Sequence, residues 1–139
     1  MKKSHFLTTL ICFGLVIASC KKNPGPTPEP PPPAEENIAF TIEPDPGSST
    51  VTSTTATYPF VVKLTSKIPS TGIHVDYATQ LDTDNAEPTF TRESSTSASS
   101  YNLATSTLES GKLYKVTVKV TSQKTATNSS SKTFRVARK

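Results

Sequence analysis

Residues 112–121 read Lys-Leu-Tyr-Lys-Val-Thr-Val-Lys-Val-Thr, and this stretch decides the fold class. From position 114 onwards two kinds of side chain alternate: one set is Tyr114, Val116, Val118 and Val120, and the other is Lys115, Thr117, Lys119 and Thr121. Successive side chains of an extended strand point to opposite faces. The alternation therefore predicts a β-strand with one buried and one solvated face.

A period of two recurs along residues 37–139, carried by β-branched and aromatic residues, whereas helical spacing is missing. The predicted strands are 38–43, 57–65, 72–80, 88–92, 100–105, 112–121 and 132–138. Clusters rich in Pro, Gly, Asn and Ser separate them, as expected of turns. About seven short strands in roughly 100 residues predict an all-β domain, a seven-stranded Greek-key β-sandwich.

Three residues of the segment before this strand keep a spacing known from one family. Leu108, Gly111 and Tyr114 are spaced as at the corner between strands E and F of fibronectin type III domains, and the chain resembles that family most specifically over 100–120. The resemblance implies that the Tyr114 ring packs in the core while its hydroxyl bonds a backbone group upstream. The family has a tryptophan in strand B, and this chain contains none. Phe60 or Leu64 would then fill that space, and a related immunoglobulin-like sandwich is the alternative.

The N-terminus has the layout of an export signal. Lys2 and Lys3 precede an apolar run from Phe6 to Ala18, which small residues and Lys21 follow. This order is typical of a secretory signal peptide. The run is shorter than the roughly 20 residues that a transmembrane helix needs, so we expect cleavage rather than a retained span.

The end of the apolar run, Ile17-Ala18-Ser19-Cys20, resembles the lipobox of bacterial lipoproteins. The resemblance implies a signal peptide over residues 1–19, cleavage before Cys20, and acyl chains on that cysteine that hold the protein to a membrane of the cell envelope, expected to be the outer membrane. Two or three acyl chains anchor stably, whereas one alone is marginal. An ordinary secreted protein with an incidental cysteine is the alternative. The other cysteine, Cys12, lies in the removed segment, so no disulfide is expected.

Residues 20–36 are predicted to be a spacer and residues 37–139 the folded domain. Seven of the eleven residues from Asn23 to Pro33 are proline, which favours polyproline II and prevents helices and ladders. At about 3.1 Å per residue, the spacer could hold the domain on the order of 50 Å from a lipid surface.

Groups that could perform catalysis or hold a metal are sparse. His74 is the single histidine beyond the signal segment, and its predicted position is outward. The acidic residues of 82–85 alternate as in a calcium loop, but the turn glycine and the closing glutamate of an EF-hand are missing. Asp76 is expected to pair across strands with Lys115 or Lys119. We therefore predict no enzyme activity, no cofactor and no metal.

The net charge is +4, and loss of Lys2 and Lys3 with the signal would leave +2. The segment from Lys112 to Lys139 carries basic residues and no acid. Export argues against nucleic acid as the partner, and strand charges also protect sheet edges from aggregation. In a fibronectin-like sandwich strand F lies between strands C and G, so outward residues form one positive face. Its basic members are Lys115, Lys119 and Arg135.

The predicted function is that of a membrane-anchored, non-catalytic binding or structural module, whose partner is an unknown envelope protein or glycan. A carbohydrate-binding module associated with envelope glycan uptake is the alternative. Such modules usually present exposed aromatic platforms, and this chain has no tryptophan. An enzyme is the third class, for which the sequence contains no constellation of catalytic groups.

Overall fold

The computed structural model describes residues 34–139, which form eight β-strands and no helix. The strands are β1 (Phe40–Glu43), β2 (Val51–Ser53), β3 (Pro59–Leu64), β4 (Ile73–Leu81), β5 (Thr91–Ser95), β6 (Ser100–Ala104), β7 (Leu113–Ser122) and β8 (Ser129–Arg138). The predicted signal peptide, the predicted lipidation site at Cys20 and the predicted spacer up to Pro33 lie outside the described residues. For the part that is described, the predicted all-β class is confirmed.

The strands form two sheets in a sandwich-like arrangement. The three-stranded sheet has the order β1-β3-β6, and the five-stranded sheet has the order β2-β8-β7-β4-β5. All neighbours are antiparallel except β2 and β8, which run parallel. In the pairing of β4 with β7, Val75 lies opposite Val120 and Tyr77 opposite Val118.

The strand count differs from the predicted seven, because β2 was not predicted. It lies in a Ser- and Thr-rich segment that contains a single large apolar residue, Val51. Its three residues pair with Val136–Arg138 through the backbone, and this pairing does not require an alternation of apolar and polar side chains. The largest shifts of strand boundaries are in two other strands: β8 begins at Ser129 rather than 132, and β5 covers 91–95 rather than 88–92.

The core lies where the inner faces of the two sheets meet. The predicted inward set of β7 is buried, with Val116, Val118 and Val120 fully enclosed. Phe60 fills the middle of the core: its ring packs edge-on against Phe134, with 5.5 Å between ring centroids, and against Tyr77. Such edge-to-face pairs add to the free energy of simple burial. Of the two residues expected to fill the space of a tryptophan, Phe60 is buried and Leu64 is only half-buried.

The corner before β7 has the predicted geometry. The Tyr114 hydroxyl accepts a hydrogen bond from the backbone N–H of Glu109 at 3.0 Å, while its ring is buried. Leu108 is fully buried, and Gly111 has a φ of +74°, a conformation that favours glycine. Arg138 Nη1 also donates to the Leu108 carbonyl at 2.6 Å, so the end of β8 holds the corner from the other side.

Candidate binding surface

The three basic residues predicted to form a surface lie on the outer face of the five-stranded sheet. Lys115 on β7 is directly opposite Arg135 on β8, and Lys119 lies four residues further along β7, opposite Ser131. Four residues of strand correspond to about 13 Å. The structure therefore brings Lys115 and Arg135 together and leaves Lys119 apart from them; binding by these residues stays a prediction.

Asp76 on this face pairs with an arginine, so the predicted pairing with a lysine is wrong. The register places Asp76 between Lys119 on β7 and Arg92 on β5. Arg92 Nε and Nη2 donate to the two carboxylate oxygens at 2.6 and 3.1 Å. A planar guanidinium matches a carboxylate with two bonds, which an ammonium cannot do. The hydrogen bond and the charge of Asp76 raise the pKa of Arg92.

Arg135 is also paired, with the carboxylate of Asp82 at the end of β4. Its Nε lies 2.9 Å from Asp82 Oδ1. Within residues 34–139 neither Lys115 nor Lys119 forms a salt bridge. The uncompensated positive charge of the outer face therefore belongs to these two lysines, rather than to all three predicted residues equally.

A groove runs beside Lys115 and Arg135. Its volume is about 320 Å³, and it lies between β8 and the segment that leads into β2. The lining residues are Gly47, Ser48, Ser49, Thr50, Lys115, Thr133, Phe134 and Arg135. The Asp45 carboxylate accepts a hydrogen bond from the Gly47 N–H at 2.9 Å, which shapes the start of that segment. Sequence analysis missed the groove, because residues 47–50 looked like any polar loop.

His74 forms a cross-strand contact that the sequence did not predict. Its Nδ1 lies 2.7 Å from the Ser94 hydroxyl, because β5 extends beyond the predicted end at 92. A serine and a histidine in contact resemble a nucleophile with its base, but such a base needs a third group that orients it. In the described part of the chain, no carboxylate bonds the His74 ring. The contact positions two side chains across the neighbouring strands β4 and β5.

The acidic loop after β4 uses its carboxylates within the protein. Asp82 holds Arg135, and Asp84 accepts a hydrogen bond from the Ala86 N–H at 2.9 Å. Gln80 closes the loop by donating to the carbonyls of Asp84 and Ala86. Among residues 34–139, no three His, Cys, Asp or Glu side chains are grouped so that they could hold a metal ion.

Known proteins do not identify the chain. None of the protein families, curated proteins or solved structures with which it was compared matches it. Over residues 34–139, no helix has the length and apolar character needed to cross a membrane. The arguments for function therefore rest on this chain's own residues.

Proposed function

We propose that the protein is a lipid-anchored, extracytoplasmic binding module without catalytic activity, held to a membrane of the cell envelope through Cys20. The apolar run that ends in Ile17-Ala18-Ser19-Cys20 supports the anchor. The Pro-rich spacer supports a domain presented away from the lipid, because polyproline segments are stiff and extended. We place the anchor in the outer membrane.

The fold within this proposal is a fibronectin type III-like sandwich of Greek-key topology. In such a domain strand F lies between strands C and G, and here β7 lies between β4 and β8. The bond from Glu109 N–H to the Tyr114 hydroxyl is the second support, since a tyrosine corner is a hallmark of these sandwiches. The additional strand β2 lies at the edge of the same sheet, beside β8.

The observation that carries the binding role is the uncompensated charge of Lys115 and Lys119 on an otherwise paired face. Arg92 and Arg135 each have a carboxylate partner, so the two lysines are the charges free to meet a ligand. Unpaired cations attract anionic partners and speed their association. The partner class that fits is an anionic polymer or an acidic protein patch of the envelope.

A carbohydrate-binding module for envelope glycan uptake is a second candidate, and the groove beside Lys115 favours it. Ser48, Ser49, Thr50 and Thr133 are among its lining residues, and side chains with hydroxyl groups suit a hydroxylated ligand.

The anchor is tested by the Cys20→Ser substitution. We expect the variant to lose fatty-acid labelling, and to be released from membranes or to stay as uncleaved precursor, because the acylated thiol is gone. Metabolic labelling with a fatty-acid analogue followed by membrane fractionation measures both effects. Cys12→Ser is the matched control and should label as the unmodified protein does. Unchanged labelling of the Cys20 variant would contradict the proposal.

A further inference from the structure

We propose that the groove between β8 and residues 47–50 binds one acidic sugar unit, whose carboxylate or sulfate group pairs with Lys115. This inference rests on the proposed function and names the ligand class of its binding surface.

The first support is the charge inside the groove. Lys115 and Arg135 line it, and no acidic residue does. Because Asp82 already holds Arg135, the ammonium of Lys115 is the cation that an incoming anion would meet uncompensated. A charge-assisted hydrogen bond to an ammonium is stronger than one between neutral groups.

The second support is the open edge of β8 beside the groove. Two hydrogen bonds at the ends of the β7–β8 pairing show which residues of β8 bond to β7: Ser122 N–H donates to the Asn128 carbonyl, and Arg138 N–H donates to the Lys112 carbonyl. In an antiparallel pair, residues that bond to the partner alternate with residues that do not. Even-numbered residues of β8 therefore bond to β7, and Thr133 directs its N–H and C=O away from it. Since β2 covers only Val136–Arg138, Thr133 has no neighbouring strand on that side.

The groove reaches this edge. Phe134 is among its lining residues although the residue is 5% exposed and its ring packs in the core. The backbone of β8 is thus what borders the groove at this point. In residues 34–139 no backbone hydrogen bond joins the segment 44–50 to Thr133. An anion or a sugar hydroxyl can take the place of the missing strand partner.

The third support is the shape and polarity of the walls. Ser48, Ser49, Thr50 and Thr133 supply hydroxyls that can both donate and accept hydrogen bonds. A volume of about 320 Å³ is near the lower end for small-molecule sites, which fits one sugar unit rather than a long stretch of chain. The only aromatic residue of the lining turns its ring into the core, so charge rather than stacking would select the ligand.

The test measures binding of short oligogalacturonates to the full-length protein in detergent micelles by titration calorimetry at about 0.15 M salt. The same oligomers with methyl-esterified carboxylates serve as the neutral probe, a sulfated oligosaccharide as the second acidic probe, and inorganic phosphate as the bare anion. The variants are Lys115→Gln, Lys115→Arg, Thr133→Val and, as the control, Lys124→Gln, at an exposed lysine in the turn between β7 and β8 that forms no salt bridge within residues 34–139.

We expect the acidic oligomers to bind and the esterified ones to bind at least about tenfold more weakly, the usual weight of a charged hydrogen bond. Lys115→Gln should lose a similar factor, Lys115→Arg should retain binding, and Thr133→Val should lose a few-fold. Lys124→Gln should change affinity less than about twofold, because Lys124 lies outside the groove and beyond the end of β7, and exposed charges further apart than the screening length of about 8 Å interact weakly.

Several outcomes would overturn the inference: no binding of either acidic probe, equal binding of the esterified oligomers, or phosphate binding as tightly as the sugars. Equal losses for Lys115→Gln and Lys124→Gln would show a general dependence on positive charge and no groove site. None of these results touches the membrane anchor, which the Cys20 labelling decides separately.

Discussion

At the scale of single residues, Tyr114 connects the core to the corner before β7. Its ring is buried, and its hydroxyl accepts a hydrogen bond from the N–H of Glu109, which lies in a turn with no strand neighbour. A buried or half-buried backbone donor without a partner is costly, so the hydroxyl stabilises the turn as well as its own position. The ring contributes independently, through the apolar area that it removes from water.

We expect Tyr114→Phe to lower the free energy of unfolding by about 0.5–1.5 kcal/mol, because only the hydrogen bond is lost. Tyr114→Ala should cost about 3–5 kcal/mol, since the core also loses a ring. Chemical denaturation of the full-length protein measures both changes. If neither variant shifts the denaturant midpoint, the corner does not support the domain in this way.

Tyr101 is the matched control for this prediction. Burial raises the pKa of its hydroxyl, and the hydroxyl makes no well-formed hydrogen bond within residues 34–139. Tyr101→Phe removes a buried polar atom that gains little from its surroundings. We expect no loss of stability, in contrast to Tyr114→Phe.

At the scale of secondary-structure elements, Asn128 joins the entry of the domain to the turn between β7 and β8. Its Oδ1 accepts the Ile38 N–H at 2.9 Å, and its Nδ2 donates to the Glu36 carbonyl at 3.0 Å. A third contact runs from Nδ2 to Glu35 Oε2 at 3.3 Å. One side-chain amide thus replaces the strand neighbour that residues 35–38 lack.

We expect Asn128→Ala to destabilise the domain by about 1–3 kcal/mol, because it leaves the Ile38 N–H and the Glu36 carbonyl unpaired. The Ile38 amide should also exchange hydrogen faster, which mass spectrometry can follow. Thr127→Ala is the control in the same turn, since that side chain is exposed and makes no hydrogen bond in the described region. Equal effects of the two variants would show that the turn itself, rather than the amide contacts, matters.

At the scale of the whole molecule, the charges on the outer face of the five-stranded sheet are only partly compensated. Pairing of Arg92 with Asp76 and of Arg135 with Asp82 compensates four charges. Lys115 and Lys119 remain, about 13 Å apart along β7. The first pair joins β5 to β4, and the second joins β8 to the loop that follows β4.

We expect replacement of Lys115, Lys119 and Arg135 together by Gln to reduce capture of anionic partners from an envelope extract and to flatten the salt dependence of binding. The reason is that exposed charges attract over a distance that salt shortens. Pull-downs at low and high ionic strength measure the effect. Partners and salt dependence identical to those of the unmodified domain would exclude this surface.

Periodicity predicted most of the sandwich correctly, and its failures share one cause. The strands that contain Phe60 and Val118 were predictable because their side chains alternate locally between core and solvent. β2 carries no such pattern, and β5 is exposed along nearly its whole length. β2 and β5 form because the open backbone edge of a neighbouring strand pairs with them. A local pattern of side chains does not reveal such an edge.

The candidate surface likewise combines features that follow from a local sequence pattern with features that depend on tertiary contacts. The sequence by itself determined the all-β class, the inward set of β7 and the outward direction of Lys115 and Lys119, because alternation is a local property. The Tyr114 corner was predicted from the resemblance of Leu108, Gly111 and Tyr114 to a known family. Tertiary structure alone decided that Arg92 holds Asp76, that Arg135 holds Asp82, and that residues 47–50 lie beside Lys115 to form a groove. Each of these contacts depends on the register of the paired strands or on the path that the chain takes between the two sheets. Both are set by the packing of the whole core, which brings together residues far apart in the chain.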